Sequence, residues 1–309
     1  MTRDDKAFDD ILQQATAQGP LPMAVAHPCS REALLGAVEA AEHGIATPIL
    51  IGPRSKLGKL AEELDVDISR FELIDTPHSH ASAEQAVKLV RDGYADILMK
   101  GSLHTDEFMS EVLARNTGIR TDRRISHVFI MKVESYPRYL FITDAAISIE
   151  PDLMTKRDIC QNAIDLTHAL GIACPKVAIL AAVETINPAM RATLDAAALC
   201  KMADRGQIKG ALLDGPLAFD NAISHEAADT KGIVSAVAGD PDILLVPDLE
   251  SGNMLAKQLT YLAAAASAGI VMGARVPIVL TSRAEDATGR LASAAVANVL
   301  AHRRRGASQ

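Results

Sequence analysis

Thr281-Ser282-Arg283 is the tripeptide with the most chemical capacity in this sequence. An apolar run, Pro277-Ile278-Val279-Leu280, stops there at two hydroxyls and a guanidinium. Ala284-Glu285-Asp286 then opens a long alanine-rich segment. The pattern predicts a buried strand, a short polar turn and a helix. Open α/β sheets bind ligands beyond the carboxyl ends of their strands, and exposed helix N-termini draw anions through free N–H groups and the helix dipole. A serine and an arginine at that corner therefore point to an oxyanion or phosphate site. The same residues also fit a capping box, with Ser282 and Glu285 each satisfying the other's backbone N–H. The two readings are compatible, because a cap can face a ligand.

Three other segments share this character: Lys100-Gly101-Ser102-Leu103-His104-Thr105, Asp214-Gly215-Pro216-Leu217-Ala218-Phe219-Asp220-Asn221, and Asp248-Leu249-Glu250-Ser251-Gly252-Asn253. Each reads as a loop of small or polar residues where a strand hands over to a helix. Gly101 and Gly252 would let the backbone come close to a ligand. Lys100 and Arg283 are the cations of the set and could pair with a phosphate. Each segment alone is also an ordinary turn or N-cap. Together they predict one polyanion-binding cleft.

The positioning elements are set by hydrophobic periodicity. Strands are expected at 23–26, 48–51, 72–74 and 96–99, alternating with helices at 31–43, 56–64, 82–93 and 107–115. Runs at 127–133 and 138–143 are too close for a crossover and predict an antiparallel hairpin. Strands at 177–182, 211–213, 243–246 and 276–280 then alternate with helices at 156–170, 188–204 and 254–268, and a final helix runs to about 302. The strand–helix–strand rhythm implies largely parallel sheets. The apolar window 259–273 reads as buried helix, since it is too short to span a bilayer.

The chain has 309 residues, 49% hydrophobic and 23% charged, with a net charge of −8. That excludes a broad positive field for nucleic acid, and aromatics at 3% with no Trp argue against base-stacking platforms. Arg303-Arg304-Arg305 reads as a solvated helix end. The four cysteines form no CxxC pair, and no signal peptide or membrane span is visible, so a cytoplasmic, reduced protein is expected. No G-x-G-x-x-G follows a strand. Gly52 to Lys59 only superficially resembles a P-loop, because Leu60 stands where the Mg²⁺-binding hydroxyl belongs. There is no H-E-x-x-H, and His78 and His80 read as incidental residues of a polar loop. No metal site is expected.

Taken in order, a set of segments resembles the phosphate acetyltransferase and phosphate butyryltransferase family. They are Ala95 to Gly101 with His104-Thr105; Ser126 to Met131; Phe141-Ile142-Thr143-Asp144 through Asp152; Pro175 to Leu180; Asp214 to Asp220; Pro247 to Asn253; and Leu280 to Arg283. Lys100-Gly101 and Thr281-Ser282-Arg283-Ala284 look closer to the butyryl branch. The resemblance implies two α/β lobes with largely parallel sheets and an inter-lobe cleft, like isocitrate and isopropylmalate dehydrogenases. Residues 1–150 with 275–309 would form one lobe and 151–274 the other. It implies reversible, direct exchange of a short acyl group between coenzyme A and inorganic phosphate, giving acyl phosphate. Coenzyme A would be a substrate, with no tightly bound cofactor, and the protein a homodimer.

On this resemblance Ser282, Arg283 and Asp286 are the catalytic candidates. Lys100, Gly101, Ser102, His104, Thr105, Ser126, Asp144, Asp214, Asp220, Asp248, Ser251, Gly252, Asn253 and Thr281 are the binding candidates. The acetyl branch carries a proposed thiol base seven residues after the serine, where this chain has Gly289. It also carries an arginine near the position of Ser110. The identity of the base therefore stays open. Two other readings are compatible with the sequence. One is a metal- and NAD(P)-dependent dehydrogenase of related fold, with Asp214, Asp220 and Asp248 as metal ligands. The other is a non-catalytic CoA-binding module.

Overall fold

The computed structural model describes residues 6–280 and 287–307. The chain divides into two compact units. The central unit is Arg124–Ser267, and the terminal unit is formed by the described residues before and after it.

In chain order the terminal unit begins with α1 (Asp9–Gln18), β1 (Leu21–Ala26), α2 (Arg31–Glu42), β2 (Ala46–Gly52), α3 (Arg54–Leu64), β3 (Glu72–Asp75), α4 (Ser79–Arg91), β4 (Ile97–Lys100) and α5 (Thr105–Leu113). The central unit comes next with β5 (Ser126–Lys132), β6 (Tyr139–Thr143), α6 (Leu153–Ala169), β7 (Lys176–Leu180), α7 (Arg191–Asp204), β8 (Leu212–Leu217), α8 (Phe219–Ile223), α9 (His225–Thr230), β9 (Ile243–Leu245) and α10 (Leu249–Leu262). The chain returns through β10 (Ala266–Met272), β11 (Ile278–Val279) and α11 (Ala287–Ala307).

Strand order in the terminal unit is β3-β2-β1-β4-β11-β10. All neighbours there are parallel except β10 and β11. Met23, Ala24, Val25 and Ala26 are all fully buried, as a parallel strand covered on both faces requires. The order in the central unit is β5-β6-β9-β7-β8. Its β5–β6 pair is the expected antiparallel hairpin, and the remaining pairs are parallel. The fold is therefore mixed α/β with largely parallel strands.

Helix starts are set by short polar side chains. Ser30 Oγ accepts from Ala33 N–H at 3.4 Å, Asp152 Oδ1 from Thr155 N–H at 2.7 Å, and Asp248 Oδ1 from Ser251 N–H at 2.8 Å. His78 caps α4 in the same way, its Nδ1 accepting from Ala81 N–H at 3.2 Å. His78 and His80 thus sit at a helix start rather than in the expected polar loop.

Three other expectations are corrected. The helix expected over 254–268, and the buried helix expected over 259–273, end early. α10 stops at Leu262, Ala264 takes a left-handed φ of 49°, and Ala266–Met272 is a strand antiparallel to β11. A run of alanines and glycines carries no periodicity to separate a buried strand from a buried helix. Asp214–Leu217, expected as loop, extends β8, and 249–253 form the first turns of α10. Arg303-Arg304-Arg305 is not simply a solvated helix end. Arg305 forks onto both carboxylate oxygens of Asp96, and Arg304 donates to the carbonyls of Ala274 and Arg275.

Two contacts hold the terminal unit in register. Asn298 on α11 is fully buried, and its Nδ2 donates to Gly19 O at 2.9 Å and Ile45 O at 2.7 Å. Gly101 lies directly on the end of β1: a Cβ there would stand 2.4 Å from Ala26 O and 2.5 Å from His27 O. Both obstacles are backbone, so neither can rotate away.

Asn298→Ala is expected to cost about 2 kcal/mol, for two hydrogen bonds and a small void. Gly101→Ala is expected to cost more than about 1 kcal/mol by overpacking. Gly58, mid-helix in α3, has nothing within 4 Å of its Cβ position. Gly58→Ala should therefore add about 0.5–1 kcal/mol from helix propensity. Urea unfolding of the three variants checks the ranking, and a Gly101→Ala protein as stable as wild type would show that the β1–β4 contact yields without cost.

Candidate active site

Thr281, Ser282, Arg283 and Asp286 lie outside the described residues. The elements on either side of them are described. β11 runs parallel beside β4, with Val279 opposite Met99. β4 in turn runs parallel beside β1, with Ala26 opposite Lys100. The carboxyl ends of β1, β4 and β11 are therefore neighbours, and the chain enters residues 281–286 beside the Lys100 segment. Register alone brings Val279 opposite Met99, two residues 180 positions apart in the sequence.

The Lys100 segment is fixed from below. His27, at the end of β1, has a left-handed φ of 53°. Its carbonyl accepts from Ser102 N–H at 2.9 Å, Ser102 Oγ at 3.0 Å and Cys29 N–H at 2.7 Å. Its own N–H donates to Ile51 O at 2.7 Å. Cys29 N–H also reaches Ser102 Oγ at 3.1 Å. Ser102 is thus engaged in joining two strand ends. Lys100 is part-buried, with Nζ 3.3 Å from Gly101 O. His104 is exposed at the N-cap position of α5 and makes no side-chain cap, and Thr105 begins that helix.

His27 stands against the Lys100 segment and is absent from the sequence candidates, because His-Pro by itself is an ordinary turn. The available signal is the strand-end rule that picks out the other segments: an imidazole directly following a buried strand. Its Nδ1 lies 3.1 Å from Ser82 Oγ, which lies 2.8 Å from Thr76 Oγ1 and donates to His78 O at 3.0 Å. When Ser82 Oγ directs its hydrogen to the His78 carbonyl it can accept from the imidazole, the arrangement in which His27 Nδ1 carries the proton. Burial, and next the Lys56 cation, hold His27 below the usual histidine range against the opposing pull of Glu107, so the ring is neutral at pH 7.

The central unit holds the remaining candidates. Asp144 is almost fully buried. Its Oδ1 accepts from the N–H groups of His127, Ala146 and Ile147 at 3.1–3.2 Å, and its Oδ2 from Ser148 at 3.0 Å. Burial pushes its carboxyl above the usual range, and these N–H groups pull it back. Ser126 is fully buried and accepts from Asn162 Nδ2 at 2.8 Å. Both residues build the loop after β6 and the start of β5.

β6 and β9 are parallel neighbours, so the segments after them meet. Asn253 Nδ2 donates to Ala145 O at 3.1 Å. Gly252 packs where a Cβ would stand 2.7 Å from Val246 Cγ2 and 3.0 Å from Ala145 Cβ. Ser251 Oγ donates to Asp248, 2.8 Å from its Oδ1. The structure thus joins the 144–148 and 248–253 segments. Asp214 Oδ1 accepts from the N–H of Gly215 at 2.8 Å. Asp220 pairs with Lys231 at 3.0 Å, which also reaches Glu184 at 3.1 Å. Lys231 holds the Asp220 carboxyl below its usual range. Asn221 is fully buried, with Nδ2 3.2 Å from Glu184 Oε2 and Oδ1 without a partner among the described residues. Among the described residues no group of three or more His, Cys, Asp or Glu could hold a metal ion. No helix among them is long and apolar enough to cross a membrane.

Comparison with known proteins points the same way. The family model described as phosphate acetyl/butaryl transferase matches residues 81–298. A phosphate acetyltransferase of Rhizobium meliloti is 59% identical over 300 residues, covering 97% of this chain and 95% of its own length. A phosphate butyryltransferase of Clostridium acetobutylicum is 42% identical over 296 residues, covering 96% and 98% respectively. Among solved structures, a branched-chain phosphotransacylase from Enterococcus faecalis V583 matches with a TM-score of 0.81 at 29% identity, over 91% of this chain and 99% of its own. The chain belongs to the phosphate acetyl/butyryl transferase family.

Proposed function

We propose that this protein catalyses the reversible transfer of a short-chain acyl group between coenzyme A and inorganic phosphate. The observation that carries the reading is the register of β1, β4 and β11, which sets the Lys100 segment beside the entry to residues 281–286. Acetyl-CoA and butyryl-CoA are the substrates to compare, since relatives at 59% and 42% identity carry the acetyl and butyryl names respectively. Coenzyme A is a substrate here and not a resident cofactor. The protein works as a cytoplasmic homodimer, and its two units correspond to the two lobes of the isocitrate dehydrogenase-like architecture.

In the direction of acyl-CoA synthesis, the CoA thiol gives up its proton and its sulfur attacks the carbonyl carbon of the acyl phosphate. The carbonyl oxygen becomes an oxyanion. As the C=O bond re-forms, the C–O bond to phosphate breaks and phosphate leaves with its electron pair. Ser282 donates a hydrogen bond to the oxyanion, and Arg283 offers its two-pronged guanidinium to the phosphoryl oxygens. Lys100 adds positive charge to the same anion. Asp286, four residues after Ser282 in the sequence, is the candidate acceptor of the thiol proton.

The dehydrogenase reading has less support. Its three candidate metal ligands are each engaged locally: Asp214 with its neighbour's N–H, Asp220 with Lys231, and Asp248 as the cap of α10.

Purified protein incubated with acetyl-CoA or butyryl-CoA is expected to release free thiol only when phosphate is present. No release with either substrate would remove the proposal, and CoA binding without turnover would favour the non-catalytic module. Ser282→Ala is expected to lower kcat by about 100-fold or more, the usual cost of losing one oxyanion donor, with CoA affinity within about threefold. Equal losses in both, with a lower urea midpoint, would reduce Ser282 to a helix cap.

A further inference from the structure

At the opposite end of the terminal-unit strands lies a cavity of about 470 Å³, lined by Asp96, Arg275, Val276, Pro277, Ala301, Arg304 and Arg305. Asp96 stands just before β4, whose other end is Lys100, so a strand length separates this cavity from the candidate site. The cavity's charge is at odds with the rest of the chain. The protein carries a net −8, yet three guanidiniums line this cavity against one carboxylate.

Two of the arginines have structural duties. Arg305 forks onto Asp96, with Nε 2.8 Å from Oδ1. Arg304 Nη1 donates to Ala274 O at 3.1 Å and Arg275 O at 3.2 Å. Arginines at a helix C-terminus also offset the helix dipole, which is reason enough for those two. Arg275 has no such reason. It belongs to the turn between β10 and β11, its side chain is exposed, and it makes no side-chain hydrogen bond or ion pair among the described residues.

The turn that carries Arg275 is braced from several directions. Thr121 Oγ1 donates to Gly273 O at 2.6 Å, Arg275 N–H donates to Ile119 O at 3.0 Å, and Ala274 bridges Arg120. The Arg275 backbone is therefore held over the cavity before any ligand arrives, which lowers the ordering cost of binding. A guanidinium without a side-chain partner among the described residues, on a braced backbone and beside a second one anchored by carbonyls, fits the planar fork that recognises phosphate oxygens.

We propose that this cavity is a second anion site, for a small phosphate-bearing molecule, held by Arg275 and Arg304 and separate from the acyl-transfer residues. Asp96 stays paired with Arg305 and so does not repel the anion with a free charge. The site is independent of the proposed reaction, because it is read by binding alone.

Pyrophosphate is the probe, titrated calorimetrically into the full chain at about 0.1 M salt, where distant surface charges are screened. Saturable binding is expected to weaken about tenfold or more in Arg275→Ala, the size of one charge-assisted contact. It should be unchanged in Arg70→Ala, a surface arginine paired with Glu42 outside the cavity. Arg275→Ala removes no partner of another side chain, so the fold is expected to survive; an unchanged urea midpoint confirms that. Wild-type affinity in Arg275→Ala overturns the proposal, as does equal weakening in Arg275→Ala and Arg70→Ala. Absence of saturable binding in the unmodified protein overturns it too.

Discussion

One carbonyl oxygen joins the strand ends on which the candidate site depends. His27 O accepts from Ser102 N–H, Ser102 Oγ and Cys29 N–H. It also lies against Gly101 with no room for a side chain. The parallel pairing of β1 and β4 brings these backbones side by side, but pairing ends at Ala26 and Lys100. Beyond that point the chains would splay toward their separate helices. The His27 carbonyl continues the contact past the last ladder bond, at a cost of about 1 kcal/mol for a left-handed residue that is not glycine. The Lys100 segment is consequently positioned by backbone contacts, through Gly101 and Ser102 against His27.

The same economy governs the carboxylates. From residue type alone, Asp144 and Asp248 are as attractive for binding as Lys100. In the structure each is an acceptor for backbone N–H groups. Asp144 gathers four of them across the loop after β6, and Asp248 caps α10. A carboxylate saturated with N–H donors has little left to offer a ligand, and an anion approaching it would meet like charge. What these residues supply is shape. They hold the 144–148 and 248–253 backbones close enough for Gly252 and Ala145 to touch. The formal positive charge among the described binding candidates comes from Lys100.

How far the sequence discloses this depends on the range of each signal. Periodicity is local, so the strand–helix alternation of both units and the β5–β6 hairpin are legible. It fails where side chains are too small to carry a pattern: Ala266–Met272 reads as helix, although it is a strand. Strand-end chemistry is legible as candidate segments, because glycine, serine and lysine after an apolar run are a local pattern. Which segments meet is not. Lys100 neighbours the entry to 281–286 only because β11 inserts beside β4 after the whole central unit has been built, and no residue-level rule predicts that insertion. His27 escapes for a related reason. Its partners Ser82 and Ser102 are 55 and 75 positions away, and by itself His-Pro is an ordinary turn.

The glycine at position 289, where the acetyl branch has an aspartate, raises the question of how strong a base the proposed reaction needs. A free thiol has a pKa near 8.5, so thiolate formation at pH 7 costs about 2 kcal/mol. Neighbouring cations lower thiol pKa values by more than about one unit. The cations already assigned to the phosphoryl group, Lys100 and Arg283, therefore have the capacity to offset most of that cost when the thiol sits beside them. A carboxylate close to the thiol acts in the opposite sense until it accepts the proton, because its charge disfavours thiolate. A site that relied on cations alone would lose activity as pH falls below the thiol pKa with a simple one-proton slope. A site with a dedicated carboxylate base would hold its rate down to the carboxyl's own pKa. Gly289 removes the acid from the position seven residues after Ser282, while Asp286 keeps a carboxylate three residues earlier in the sequence, so the shape of the pH profile separates the two arrangements.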